Sequence, residues 1–229
     1  MSSTVVIVSP HLDDAVLSCG QLIAALPHRA VVIMTVFAAE PEEGDHIWTE
    51  YDKKCGFPSA RVAVGMRRAE DRRACSVLNA RWEHLSFVDS QYVEQPTPAD
   101  VAASLARHVQ ALVDADDTPH MLVGPVGLQH IDHVLVSSAF LMLAEQTPIN
   151  AWLYEELPYR VQWPEQVPDA LARAEALFHV EQDHIGGGSM SVKTAAVACY
   201  RSQQWALDGH SHLVPERYWR LRRRENDNA

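Results

Sequence analysis

Short, β-branched apolar runs alternate with amphipathic helical stretches along most of this chain, and that alternation constrains the fold more than any other feature. The first run, "TVVIVS" (Thr4 to Ser9), is apolar at consecutive positions, as a strand buried on both faces requires. "DAVLSCGQLIAAL" follows with apolar residues at helical spacing through Val16, Leu17, Leu22, Ile23 and Leu26. Further strands are predicted at Arg29–Phe37, His84–Asp89, His120–Pro125 and Asn150–Glu156, and a shorter one near Phe178–Glu181. Helices are predicted at Met66–Ala80, after Thr97 with Pro98 at its first position, at Asp132–Glu145, near Asp169–Leu177 and from Ser191 to about Gln204. Residues 39–65, rich in Pro, Gly and charge, read as a long loop. The basic stretch "RYWRLRRREN" (Arg217 to Asn226) reads as a solvated terminal helix, and the tail from about residue 213 as peripheral.

Strand–helix alternation of this kind implies an open α/β fold: one domain over residues 1–229, with a mostly parallel sheet flanked by helices. With 229 residues, of which 47% are apolar, the chain can bury a core of that size. A formal charge of −11 argues against nucleic acid as a partner. The start of the chain lacks a basic, apolar leader, and no stretch approaches the ~20 apolar residues that cross a bilayer. Four scattered cysteines (Cys19, Cys55, Cys75, Cys199) form no CxxC pair. The expectation is a cytoplasmic protein with reduced thiols, a small-molecule substrate and no membrane or nucleic-acid partner. A homo-oligomer is compatible with the sequence. The motifs of serine hydrolases (G-x-S-x-G), dinucleotide binders (G-x-G-x-x-G) and P-loops are absent.

In open α/β sheets, ligands bind at the carboxyl ends of the strands. Three predicted strand ends carry polar groups suited to chemistry. The first holds "HLDD" with His11, Asp13 and Asp14; the third ends on Asp89; the fourth leads to "HIDH" with His130, Asp132 and His133. Imidazole and carboxylate are zinc ligands, and a catalytic zinc keeps three of them with one position open. His11 and Asp14, three apart at a strand-to-helix turn, can point at one spot, and His133 can complete the set. Asp13, between them, is better placed to face an attacking water. His130 can border the same cavity, and Asp132 can fix a ring orientation by hydrogen bonding. Paired aspartates before a helix also serve as caps, so Asp13 or Asp14 can serve that purpose too.

These residues resemble the PIG-L/LmbE-type zinc-dependent N-deacetylases. "PHLDD" and, about 120 residues later, "HIDH" are similar to that family's H-P-D-D and H-P-D-H motifs, with Leu12 and Ile131 in place of the prolines. "RRAED" (Arg67 to Asp71), "FVDS" (Phe87 to Ser90) and "KTAAVACYRSQ" (Lys193 to Gln203) resemble three further family segments in the same order. The resemblance implies a Rossmann-like domain and a zinc-dependent hydrolase that removes an N-acetyl group from an amino sugar or related small metabolite. It implies His11, Asp14 and His133 as metal ligands, Asp13 as general base, and His130 beside the developing oxyanion or the leaving amine. Arg67 and Asp89 match positions that contact substrate or support the site. Mixed nitrogen–oxygen donors accept Zn²⁺ and Fe²⁺ alike. Leu128 stands where several sugar-active members carry a tyrosine, so a loop must supply any such group. Of the aromatics near "YEELPYRVQW", Trp152 and Tyr154 are expected in the core, and Tyr159 and Trp163 facing substrate. Two other readings are an amidase of larger N-acyl or thiol-conjugate amides, and a metal-binding α/β module without turnover.

Overall fold

The computed structural model describes residues 4–27, 30–42, 48–115, 117–204 and 210–224. Five parallel strands form the body of one seven-stranded sheet: β1 (Thr4–Ser9), β2 (Val31–Phe37), β3 (Arg81–Phe87), β4 (Pro119–Pro125) and β5 (Asn150–Tyr154). Two more, β6 (Phe178–Asp183) and β7 (Tyr218–Arg223), extend it in the order β3-β2-β1-β4-β5-β7-β6. β7 is antiparallel to both of its neighbours.

The helices are α1 (Asp14–Ala25), α2 (Glu50–Lys54), α3 (Ala60–Val77), α4 (Pro98–Asp114), α5 (Ile131–Gln146), α6 (Tyr159–Gln162), α7 (Gln166–Glu175) and α8 (Met190–Val197). They cover both faces of the sheet. Side chains alternate along β1, so Val6 and Val8 pack with α4 and α5, while Val5 and Ile7 pack with α1 and α8. Both faces of β1 are therefore apolar, as its uninterrupted run requires.

Chain direction across the sheet reverses between β1 and β4: β2 and β3 lie to one side, β5 to the other. Such a switch point opens a crevice beyond the carboxyl ends of the two central strands. "HLDD" follows β1 and "HIDH" follows β4, so the fold delivers both motifs to that crevice.

Three expectations are corrected. The basic tail is no terminal helix and is not peripheral: β7 lies between β5 and β6, pairing Tyr218 with Tyr154 and Leu221 with Ala151. Its arginines are held across the sheet, with Arg222 Nε 2.9 Å from Glu181 Oε2 and Arg220 over the Trp152 ring at 5.3 Å. The 39–65 stretch is partly helical. Thr49 and Asp52 form a capping box that starts α2, and Ser59 caps α3, which begins at Ala60 rather than Met66. The late helix stops at Val197, short of Gln204. Among the described residues, no helix is long and apolar enough to cross a membrane.

Candidate metal centre

Three donor atoms converge at the switch point. His11 Nδ1 lies 3.2 Å from His133 Nε2, and Asp14 Oδ2 lies 3.2 Å from each of them. Two features of the local chain bring this about. His11 and Asp14 sit on the tight turn from β1 into α1, where the His11 N–H donates to Asp14 Oδ2 at 2.8 Å. His133 stands in the first turn of α5, whose start abuts the end of β1. All three residues are buried.

Each imidazole is oriented by a carboxylate on its far side. His11 Nε2–H donates to Asp132 Oδ2 at 3.1 Å, and His133 Nδ1–H donates to Glu156 Oε1 at 3.2 Å. A carboxylate only accepts, so these bonds fix the tautomer of each neutral ring and reserve His11 Nδ1 and His133 Nε2 for a cation once their protons are displaced. Both nitrogens face one point together with the Asp14 oxygen. Zinc bonds of ~2.0–2.1 Å in tetrahedral geometry require donors about 3.3 Å apart, and this set matches that spacing. The donors therefore fit a divalent cation.

The charges support the same reading. Burial opposes protonation of His11, but its contacts with Asp132 and Asp14 outweigh burial and raise its pKa well above the usual imidazole range. Burial likewise opposes protonation of His133, yet the Asp14 carboxylate and Glu156 lift it to about 9. Asp14, despite burial, is held well below the usual carboxylate range by His133 and His11. Such a pocket attracts positive charge.

Asp13 occupies the N-cap position of α1, but its side chain makes no capping bond. Asp14 directs its carboxylate to His11 instead of the helix, so the capping role foreseen for the pair falls to neither side chain. Burial, and then the Asp14 charge, raise the Asp13 pKa to about 6.

Asp132 is fully buried. Burial disfavours its charged form, but bonds from His11, Gln95 and Ser90 hold its pKa down at about 2. Its Oδ1 accepts from Gln95 Nε2 at 2.6 Å. His11, His130 and Asp132 also lie close enough to hold a cation. Their donor atoms are engaged with one another, however: His130 Nδ1 accepts the Asp132 N–H at 3.2 Å, and Asp132 Oδ2 takes the His11 proton. Asp132 thus orients His11, the task foreseen for it.

His130 caps α5 through that bond. Burial and the nearby His11 and His133 lower its pKa, and a ring that accepts the Asp132 N–H at Nδ1 carries its proton on Nε2.

A cavity of about 360 Å³ opens beside the donors, lined by His11, Tyr51, Arg67, Asp89, Gln91, His130 and Tyr159. The sequence placed Arg67 and Asp89 at the site, and both line it. Arg67 is nine-tenths buried, with its guanidinium 6.0 Å from the Tyr51 ring centroid and its Nε without a hydrogen-bond partner among the described residues. Burial opposes its charge, but the Asp13 carboxylate and Tyr51 outweigh burial and hold it firmly protonated. Tyr159 stands edge-on to His133, with centroids 5.0 Å apart, and Trp163 stacks on it at 6.1 Å. Trp152 and Tyr154 are in the core, as expected.

Glu156 and Tyr51 carry no motif and went unforeseen. An acid at the end of a buried strand was a usable signal for Glu156, since Asp89 shows the same pattern. Tyr51 lies in the stretch read as loop.

The family model described as PIG-L, GlcNAc-PI de-N-acetylase, matches residues 6–144. A 2'-N-acetylparomamine deacetylase of Streptomyces fradiae is 29% identical over 167 residues, covering 68% of this chain and 57% of its own length. The chain thus spans less than two thirds of that relative. A protein of the same name from Niallia circulans is 27% identical over 232 residues, covering 88% of this chain and 81% of its own. A solved structure of the zinc-inhibited form of a teicoplanin deacetylase shares the fold, with a TM-score of 0.73 at 23% identity, over 98% of this chain and 100% of that one.

Proposed function

The chain belongs to the PIG-L family, and from that premise we propose that it is a divalent-metal-dependent hydrolase removing an N-acetyl group from an amino sugar or related small metabolite. One observation carries the reading: two imidazoles, each oriented by a buried carboxylate, turn their remaining ring nitrogens to one point with the Asp14 oxygen, at 3.2 Å spacing. The names of both 2'-N-acetylparomamine deacetylases support N-acetyl removal from an amino sugar.

His11, Asp14 and His133 hold the cation. When bound, it supplies a Lewis acid for the amide carbonyl and lowers the pKa of an attacking water. Asp13 takes the proton from that water as it attacks, and then passes it to the leaving amine. A pKa near 6 suits this exchange, since the carboxylate is charged at neutral pH yet basic enough to hold a proton briefly. His130 donates its Nε2–H to the developing oxyanion, an effect worth ~3–4 kcal/mol for one well-placed donor. Arg67, Asp89 and Gln91 offer a donor and two acceptors to the hydroxyls of a sugar ring. Tyr51 and Tyr159 supply aromatic walls, and Tyr159, at the start of α6 and edge-on to His133, offers a hydroxyl-bearing ring where Leu128 is buried and apolar. The products are a free amine and acetate. Zinc and iron(II) both suit the donor set, and a zinc-inhibited neighbour makes the choice of metal an experimental one.

The test is amine release from N-acetylated amino sugars, antibiotic precursors and thiol-conjugate amides, with and without chelator. Chelator-sensitive release from the amino sugars is expected. Release from none of them, or release indifferent to chelator, contradicts the proposal.

A further inference from the structure

The turn that leads into His130 is held by residues far along the chain. Between β4 and α5, Gly127 and Gln129 both adopt left-handed backbone, at φ +90° and +57°. Gly127 can be nothing but glycine, because a Cβ there would lie 2.7 Å from Ser137 Cβ and 3.2 Å from the His133 carbonyl oxygen. Gln129 has a side chain and needs outside support in that conformation. Gln166 gives it: the Gln129 N–H donates to Gln166 Oε1 at 3.0 Å, and Gln166 Nε2 donates back to Gln129 Oε1 at 2.6 Å.

Two opposite charges grip the same turn. Glu156 Oε1 accepts the N–H groups of Gly127 at 2.8 Å and Leu128 at 3.0 Å, besides the His133 imidazole proton at 3.2 Å. Arg173 Nη2 donates to the carbonyl oxygens of Gly127 at 2.7 Å and Val126 at 3.2 Å. Carboxylate thus meets amide protons, and guanidinium meets carbonyls, around a single glycine. One fully buried carboxylate oxygen ties the metal-facing ring to the backbone that sets His130. Glu156, Gln166 and Arg173 all lie beyond residue 144, where the family match ends.

We propose that Glu156 and Arg173 are positioning residues that act as a clamp on the Gly127 turn. Glu156 holds His133 with Nε2 toward the cation, and Arg173 locks the turn so that His130 keeps its place at the cavity. The inference rests on the metal-dependent reading of the same site. It assigns to the last third of the chain a part in that site that the motifs do not announce.

The test uses the full chain and zinc as probe. Zinc affinity is read by competition with a chromophoric chelator, well below the melting temperature. The His130 and His133 tautomers are read from long-range ¹H–¹⁵N spectra. Glu156→Gln is expected to weaken zinc by about 10–100-fold and to disturb the His133 tautomer. If Glu156→Gln fails to fold, Glu156→Asp, which keeps the charge but withdraws the oxygen, is expected to weaken zinc as well. Arg173→Gln is expected to leave zinc affinity near wild type, shift the His130 signals, and lower kcat by about 10–100-fold with less change in KM. Arg173→Lys, which keeps the charge, should recover part of that loss. Variants that melt earlier but bind zinc and show His130 signals as the wild type does overturn the clamp and leave a purely structural role. A wild type that releases no amine, while Glu156→Gln still loses zinc, sinks the deacetylase reading and leaves the clamp standing.

Discussion

The parallel strands β3-β2-β1-β4-β5 and the antiparallel pair β7-β6 share one sheet but come from sequences of opposite character. β1 and β2 are uninterrupted apolar runs, buried at every position. β7, "YWRLRR", carries three arginines and is exposed at its end. The parallel strands bring the metal-facing side chains to the crevice, from β1 and β4. The antiparallel pair brings none. Its contribution is to cover β5: the Glu155 N–H donates to the Arg217 carbonyl oxygen at 3.1 Å, and Trp219 Nε1 donates to Glu155 Oε1 at 2.9 Å. That cover buries the segment holding Glu156, which orients His133. One part of the sheet presents the ligands and the other steadies their supports.

This division predicts a graded series of effects. The largest belongs to Asp13, the proposed base, which lies outside the converging donor set. Asp13→Asn is expected to lower kcat by about 10²–10⁴-fold with one metal still bound, as read by steady-state kinetics and metal analysis. In the wild type, the acidic limb of kcat/KM should fall at or below about pH 6, since Asp13 acts charged and a bound cation lowers its pKa further. Next comes the steadying half. Tyr218→Ala empties a fully buried position in β7 and should cost about 3–5 kcal/mol in thermal or urea unfolding. A normal melting temperature for that variant would detach β7 from the core of the sheet.

Smaller effects follow at the metal. Asp132→Asn loses the charge that orients His11, and should weaken metal binding by about 10–100-fold in chelator competition. Acidity should act in the same direction. In metal-free protein, His133 keeps its proton up to about pH 9, above the ordinary imidazole value. Its ion pairs stabilise the metal-free fold below about pH 6.5, and that contribution fades as pH rises through 9. Metal must displace the proton, so affinity should rise about tenfold per pH unit for each proton released between those values. Proton release on zinc binding, measured by calorimetry in buffers of different ionisation enthalpy, checks the sign. Zinc binding that is flat with pH would mean that His133 is not a ligand.

The same contrast explains what was legible in the sequence. The central parallel strand β1 declares itself locally, because a strand buried on both faces leaves an apolar run such as "TVVIVS"; β3, "RWEHLSF", is a half-exposed edge strand without such a run, and it starts at Arg81 rather than His84. The convergence of His11, Asp14 and His133 was legible because the first two share one turn and His133 opens a helix at the adjacent strand end. β7 was not legible. Its stability comes from a ladder on each side and from cross-strand partners such as Glu181 and Trp152, which lie 41 and 68 positions away in the chain. Glu156 sits in "YEEL", where nothing local separates it from Glu155; in the fold Glu155 meets Arg160 and Trp219, while Glu156 meets His133. His130 lines the cavity, and its lowered pKa was not legible because it comes from burial and from His11 and His133, neighbours in space rather than in sequence.

The most direct test of the account is metal reconstitution of the chelator-stripped chain. Zinc or iron(II) is added in steps while bound metal and amine release from an N-acetylated amino sugar are followed together, for the wild type and for His133→Ala. The account predicts that activity returns with one metal per wild-type chain, and that His133→Ala neither holds that metal with comparable affinity nor recovers activity. Full activity in the stripped wild type, or equal metal affinity in His133→Ala, would contradict it.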